Sequence, residues 1–343
     1  MSGGVDSAVA ALLLKDKGFR VTGITMKYLP DGPGAPHYDD AARVAELLDI
    51  SHTAIDVSAE FRKKVVENFR AEYMHGRTPN PCVRCNRLMK FDLLMRMMEK
   101  TGAGHIATGH YALTVRDETS GRTLLQKADD REKDQSYFLY MLTQPVLEHV
   151  IFPLGNLTKA EVRSIARTHD LPVSEKEESQ EICFIEGKNY RPILRGASVP
   201  GPIVDNKGNV IGRHTGIADY TLGQRRGLGI SAGRPLYVVR ITPETNTIAV
   251  GEAEDAYHDE LFCESVHWTV RPPSMPLFVH AKIRSLHPGA EAQLLSHGDG
   301  GVTLLFEKPQ WAITPGQSAV FYSAEDGQTV LGGGIIAKAT KRS

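Results

Sequence analysis

Apolar positions along the first half of the chain follow two alternating periods. Residues 8–14 (AVAALLL) form an apolar run directly after a turn of serine and glycine, and read as a buried helix. Residues 20–26 (RVTGITM) read as a strand. Residues 37–48 place Ala41, Val44, Ala45 and Leu48 on one face, the spacing of an amphipathic helix. A short strand is predicted over 52–57. Ser58 is placed to cap a helix carrying Phe61, Val65, Phe69 and Tyr73. Two prolines mark 75–86 as a loop, a helix is predicted over 89–100, and a strand over 105–108 ends at Gly109 and His110. Thr158 with Glu161 three residues later is a capping box that opens a further helix. This strand–helix alternation predicts an α/β domain built on a doubly wound parallel sheet.

The texture changes after about residue 183. Residues 187–260 are rich in glycine and short β-like runs, such as 237–241 and 247–250. A third region has Pro272 and Pro273 early in it, with β-like runs at 277–283, 292–295, 302–306 and 318–322. Short strands between Gly/Pro turns predict a small barrel. The expected organisation is a catalytic α/β domain over 1–186, a central β-rich domain over 187–260 and a C-terminal β-barrel over 261–343.

Composition narrows the partners. The chain has 343 residues, enough for two or three domains, with 41% hydrophobic and 24% charged residues. A net charge of −1 excludes a global nucleic-acid signature, so any RNA surface is a local basic patch. No apolar run approaches the length of a membrane helix, and no signal or transit peptide is visible. Four cysteines in a chain of this size do not make a disulfide scaffold; they are chemical or plain core residues.

Three segments carry candidate chemistry. Met1-Ser2-Gly3-Gly4-Val5-Asp6-Ser7 is a turn with hydroxyl donors, leading into an apolar helix whose positive end points at the turn. Glycine lets several N–H groups converge on an anion, so the segment suits a pyrophosphate. The Walker A spacing is absent. In folds of this class the phosphate loop follows a buried parallel strand. Nothing precedes Met1 here, so the first strand is expected to be missing and its neighbours to keep unpaired edges. A product of these 343 residues is therefore expected to fold poorly beside one extended upstream. The second segment is Asn80-Pro81-Cys82-Val83-Arg84-Cys85. Cys85 is expected just before a helix, between Arg84 and Arg87, which predicts a lowered thiol pKa and a thiolate nucleophile. A buried Cys pair or half a zinc site are alternatives; zinc needs two more ligands, and no second CxxC exists. The third is Ser179-Gln180-Glu181-Ile182-Cys183-Phe184. Alone, Cys183 reads as a small core residue. Cys263, beside Phe262, reads as structural. Arg225 and Arg226 are phosphate contacts or a solvated turn.

The SGGVDS segment resembles the PP-loop of ATP pyrophosphatases. Followed by NPCVRCN and SQEICF, it resembles the tRNA-specific 2-thiouridylases. The resemblance continues through GRTPN at 76–80, KF at 90–91, ATGHY at 107–111, KDQSYF at 133–138, LGQRRGL at 222–228 and TPGQ at 314–317, and covers essentially the whole chain. It implies a cytoplasmic enzyme that puts sulfur on the wobble uridine of tRNA for Lys, Glu and Gln. Ser2, Gly3, Gly4, Val5, Asp6, Ser7, Met26 and Gly109 would bind ATP with Mg2+, for attack by uridine O2 on the α-phosphate. Cys183 would carry a persulfide, and Cys85 would be the second catalytic thiol, ending in a Cys85–Cys183 disulfide that a reductant resets. Asn80, Pro81 and Cys82 would touch the target base; His110, Lys133, Asp134 and Gln135 would line an RNA-facing cleft; Arg284, Ser285 and Gln317 would contact tRNA from the third domain. The sulfur donor would be a cysteine desulfurase or a relay protein. Many relatives have Asp where this chain has Cys82, and some have an aromatic residue where it has Ser285. Three other readings stand beside this one: a [4Fe-4S] cluster on Cys82, Cys85 and Cys183, a PP-loop amidoligase acting on a small molecule, and an inactive tRNA-binding protein.

Overall fold

The computed structural model describes residues 1–29, 38–177, 182–185, 190–194, 199–270, 274–298 and 300–342. His37, Ser179, Gln180, Glu181, Pro272 and Pro273, used in the sequence reading, lie outside them. The chain divides into two compact units. One holds 1–65, 82–184 and 328–330; the other holds 66–81, 185–327 and 331–343.

In the first unit, helix α1 (Val5–Asp16) is buried on nearly every side, with Val5, Ala8, Val9, Ala10, Ala11, Leu12 and Leu14 inside. A helix apolar all round must be covered all round. Val44 of α2 (Asp39–Leu47) and Val162 and Ala166 of α8 (Lys159–Thr168) belong to the same core, with Tyr111, Leu154, Leu171 and Val173. Strand β1 (Thr22–Lys27) pairs in parallel with β2 (Ser51–Asp56), from Thr22↔Ser51 to Lys27↔Asp56. The two-residue β3 (Ile106–Ala107) pairs in parallel with β6 (Val150–Ile151), which directly follows helix α7 (Gln144–His149). Among the described residues of this unit the parallel strands therefore form two separate pairs, where the sequence pattern predicts one sheet. No described strand bridges β1 and β3; beside β1 the Met1 amine donates to the Ile24 carbonyl, and the Met1 carbonyl accepts from the Thr25 hydroxyl at 2.8 Å.

Two antiparallel strands, β4 (Ala112–Asp117) and β5 (Arg122–Lys127), follow β3 and escaped the sequence reading. Their turn is built by Asp117, whose carboxylate accepts from the Thr119 and Ser120 amides. Thr329 and Val330 add to β5 opposite Gln126 and Leu125.

Both long helical runs of the first half are interrupted by π turns. The first is α3 (Ser58–Phe61), a π turn (Arg62–Val66) and α4 (Glu67–Met74). The expected cap at Ser58 is not formed: Ser58 is already helical, and its amide donates to the Asp56 carboxylate at 2.8 Å. The second run is α5 (Pro81–Cys85), a π turn (Asn86–Lys90) and α6 (Phe91–Thr101), which ends on Gly102 in the left-handed region. It starts inside the predicted 75–86 loop, because Pro81 is preorganised for the first helical turn. The predicted capping box on α8 is formed: Thr158 accepts from the Glu161 amide, and Glu161 accepts from the Thr158 amide.

The second unit carries two β structures. Strands β7 (Gly201–Val204), β8 (Val210–His214), β9 (Tyr237–Thr242) and β10 (Thr247–Gly251) form a four-stranded sheet over Ile203, Val238, Ile248 and Val250. Strands β11 (Tyr257–Trp268), β12 (Leu277–Lys282), β13 (Ala290–Ser296), β14 (Val302–Trp311), β15 (Ser318–Ser323) and β16 (Thr329–Thr340) form the expected barrel, closed where β11 meets β16. Alternate residues such as Val279, Ala281, Leu294, Leu304 and Phe306 fill it. Cys263 is part of that filling, as expected, and burial pushes its thiol far up.

Candidate functional site

The Ser2–Ser7 segment turns back on itself at Gly3, whose φ is +71°. The Ser7 hydroxyl accepts from the Ser2 amide at 3.0 Å and donates to the Gly4 carbonyl at 3.0 Å; the two serine hydroxyls lie 3.2 Å apart. Gly4 is the extended N-cap of α1 and offers no side-chain cap. The first amides of α1 are thus left without a capping side chain, the arrangement that binds anions. Gly109 packs directly on this loop: a Cβ there would stand 2.7 Å from the Asp6 carbonyl carbon and 2.8 Å from the Ser7 amide nitrogen. Met26 is half-buried on β1.

Four residues join the loop that the sequence reading gave no role there. Lys159, the first residue of α8, reaches the Asp6 carboxylate at 2.6 Å. The buried Tyr111 donates to the same oxygen at 2.9 Å, and the Lys159 ammonium lies 5.7 Å from the centre of its ring. Lys176 donates to the Gly3 carbonyl at 2.9 Å and to Asp40 at 2.6 Å. A signal existed for Lys159, at the opening of a capping-box helix, and for Tyr111, inside the ATGHY motif. None marked Lys176 or Asp40, because their partners are 173 and 136 residues away from Lys176.

The thiols correct the electrostatic expectation. Cys85 closes α5 and continues into the π turn, so no helix N-terminus faces it. The Arg84 guanidinium is turned away to the Lys64 carbonyl. Burial pushes the Cys85 thiol up; Lys90 opposes this, and a neighbouring Cys82 charge adds to it. Cys82 is likewise pushed up by burial against Lys90. Burial, together with Cys85 and Cys82, pushes Cys183 up to about 12. The cation acting on all three thiols is Lys90, which the sequence reading placed in a motif without a role. Cys82 and Cys183 still present surface to solvent and Cys85 is half-buried, so the burial that raises these thiols is the crowding of protein atoms around them and not a complete loss of contact with water. The three are close enough for their charges to couple. Yet among the described residues no group of three or more His, Cys, Asp or Glu is placed to hold a metal ion, so they form no ready ligand set for a cluster. Tyr28 is a further neighbour: its phenol hydrogen-bonds Cys183, and burial pushes its own pKa up. Its ring lies 5.4 Å from Phe61, which lies edge-on to Phe184 at 5.6 Å, so an aromatic cluster seats the residue after Cys183.

His110 stacks on Phe91 at 5.9 Å, and its Nδ1 is 2.7 Å from the Thr108 hydroxyl. Burial, with Lys90, lowers its pKa well below the usual range, so the ring is neutral at physiological pH. Gln135 clasps the backbone next door, accepting from the Tyr111 amide at 3.0 Å and donating its own amide to the Tyr111 carbonyl at 2.8 Å. Asp134 is spent on its own turn, accepting from Ala128 and Ser136. Lys133 is half-buried in that turn.

In the second unit, the side-chain amide of Gln317 donates to the Thr78 carbonyl at 2.8 Å, and the Thr78 amide donates to the Pro315 carbonyl at 2.8 Å. Arg77 is ion-paired with Glu72 and Glu264. The segment that carries half-buried Asn80 and buried Pro81 is therefore tied to the loop that carries Gln317. Arg284 donates to the Trp311 carbonyl at 3.2 Å, beside half-buried Ser285. Arg225 lines an open cavity of about 440 Å³ with Gly227, Gly229, Ile230 and Arg234; Arg226 is exposed.

Residues 1–187 match a family described as the tRNA methyl transferase HUP domain, 194–252 the tRNA methyl transferase PRC-barrel domain, and 258–336 the aminomethyltransferase beta-barrel domain. The chain is 47% identical to the tRNA-specific 2-thiouridylase MnmA 1 of Caldanaerobacter subterraneus, covering 98% of this chain and 96% of that protein. It is 44% identical to the MnmA of Halothermothrix orenii (98% and 97% covered) and 42% identical to that of Acetivibrio thermocellus (98% and 97%). No described helix is long and apolar enough to cross a membrane.

Proposed function

The chain belongs to the tRNA-specific 2-thiouridylase family, and from that premise we propose that it thiolates the wobble uridine of tRNA by adenylating O2 and delivering sulfur through Cys183 and Cys85. The observation that carries this reading is that the phosphate loop and the three thiols Cys82, Cys85 and Cys183 fall within one compact unit. An amidoligase would need no such thiols, and an inactive RNA-binding protein would need neither feature.

Ser2, Gly3, Gly4 and Ser7 hold the phosphates of ATP, with Gly109 fixing the loop from behind. Uridine O2 bonds to the α-phosphorus, the bond to the β-phosphate oxygen breaks, and pyrophosphate leaves with the electron pair. Asp6 is the carboxylate that would share the magnesium accompanying ATP, an ion that would neutralise charge on the leaving group while held mainly by phosphates and one protein oxygen.

Cys85 then gives up its proton and attacks the inner sulfur of a Cys183 persulfide. A Cys85–Cys183 disulfide forms, and hydrosulfide leaves to add at C2, from which AMP departs. An external dithiol returns two electrons to the disulfide. Burial disfavours the Cys85 thiolate, and Lys90 is the charge that supports it. The persulfide comes from a cysteine desulfurase or a relay protein. Asn80, Pro81 and Cys82 receive the extruded base, and His110, Lys133, Asp134, Gln135, Arg284, Ser285 and Gln317 are the proposed tRNA contacts.

The test is sulfur incorporation into a tRNA-Lys transcript with ATP, magnesium and a persulfide source, read by mass. Iron-free wild type is expected to thiolate, and both Cys85→Ser and Cys183→Ser to fail. Thiolation retained by Cys183→Ser, or seen only after iron reconstitution, would overturn the relay.

A further inference from the structure

We propose that Lys159 is a nucleotide-binding residue: it neutralises Asp6 in the empty phosphate loop and holds the β- and γ-phosphates when ATP is bound. This rests on the reading of Ser2–Ser7 as an ATP loop.

An anion site with a carboxylate on its first helical turn has an electrostatic problem. Asp6 sits at the N-terminus of α1, where a triphosphate carrying several negative charges is to be held. A bare carboxylate there repels it, and at these separations such repulsion is not negligible. Something must supply positive charge at the same spot, whether or not the nucleotide is present.

Lys159 meets that need. Its ammonium is 2.6 Å from the Asp6 oxygen, so it lies beside the loop itself. Only 11% of its side chain is exposed, which places the charge in a setting where water screens it poorly. Its position is fixed from several sides. Lys159 opens a capped helix; its backbone amide donates to Asp130 at 3.0 Å; its ammonium lies over the face of Tyr111. Tyr111 in turn holds the Asp6 oxygen that Lys159 reaches. A lysine wanted only as a structural strut needs none of this convergence on the one carboxylate of the loop. Once Asp6 turns to the cation brought with ATP, the ammonium is left facing the phosphates, which accept charge-assisted hydrogen bonds.

The prediction separates ATP from AMP. Lys159→Met keeps the stem on Tyr111 and removes the charge, while Lys159→Arg keeps the charge. Calorimetric titration of the full chain with ATP–Mg2+ and with AMP is the measurement, alongside thermal melting. Lys159→Met is expected to weaken ATP binding about tenfold or more, as loss of a charged hydrogen bond does, and to leave AMP binding within about twofold. Lys159→Arg is expected to restore most of the ATP affinity. Equal weakening of ATP and AMP, or no weakening of either, would overturn the proposal. Wild-type protein that binds no ATP would overturn the loop reading together with it. Normal ATP-over-AMP discrimination that is lost in Lys159→Met, in an enzyme that fails to thiolate tRNA, would sink the function and leave Lys159 standing.

Discussion

Gly109→Ala is the sharpest probe of the proposed phosphate loop. The added Cβ would lie 2.7 Å from the Asp6 carbonyl carbon, 2.8 Å from the Ser7 nitrogen and 2.9 Å from the Asp6 oxygen. Carbon atoms in contact prefer about 3.5–4.0 Å, so the overlap is roughly 1 Å. All three neighbours are backbone atoms of the first turn of α1, which cannot swing aside as a flexible side chain does. Gly109 is not in the left-handed region, so the cost is purely steric. Overpacking of this kind costs about 1–3 kcal/mol. If the loop moves to relieve it, the amides leave their anion-binding geometry, and ATP affinity falls by about 5- to 150-fold. Gly102→Ala is the control. Gly102 ends α6 at φ +68° with nothing within 4 Å of a Cβ, so its cost is conformational, about 1 kcal/mol, and far in sequence from the loop. Both variants should melt a few degrees lower, about 2–4 °C per kcal/mol for a protein of this size class. Only Gly109→Ala should lose ATP in a calorimetric titration. The steric reasoning is refuted if Gly109→Ala binds ATP within about twofold of wild type.

Further outcomes are expected at the thiols, at the cap of α8 and at the Thr78 carbonyl. Because burial lifts Cys183 to about 12, its alkylation rate should keep rising through pH 9 without a plateau. Tyr28→Phe, which removes the phenol hydrogen bond, should slow that alkylation further and leave Cys85 unchanged; peptide mapping by mass checks both. Thr158→Ala removes the N-cap of α8 and should cost about 1 kcal/mol at neutral pH, read as a melting shift. The Thr158 amide and hydroxyl hold the Glu161 carboxyl below the ordinary glutamate range, so Glu161 stabilises the fold above that range. The melting gap between wild type and Glu161→Gln should close as pH falls through the lowered value. Gln317→Ala frees the Thr78 carbonyl at a cost of about 1 kcal/mol; it should weaken tRNA binding in a filter assay and leave ATP affinity intact.

What could be read from the chain and what could not divides along a physical line. The glycine turn over Ser2–Ser7, the capping box at Thr158 and the barrel were legible because their determinants are local: a glycine that permits positive φ, a side chain three residues from its partner, an alternation of period two. The Cys85 microenvironment was misread although its neighbours in sequence were plain. Arg84 and Arg87 adjoin Cys85 along the chain, but α5 runs on through a π turn, sends Arg84 to the Lys64 carbonyl, and leaves Lys90 as the cation acting on the thiol. A register change of one residue inside a helix leaves no trace in composition, yet it decides which charge meets which sulfur. Likewise Lys159 and Lys176 reach the loop from 153 and 173 residues away. Charge at a folded site is a property of packing, and a sequence motif names the groups that will be charged without saying which will face one another. For this chain the consequence is specific: the motifs identify Cys85 and Cys183 as the proposed sulfur carriers, while their ionisation, and so the pH at which the relay can run, rests on burial, on Lys90 and on the thiols' effect on one another, to which no motif assigned that role.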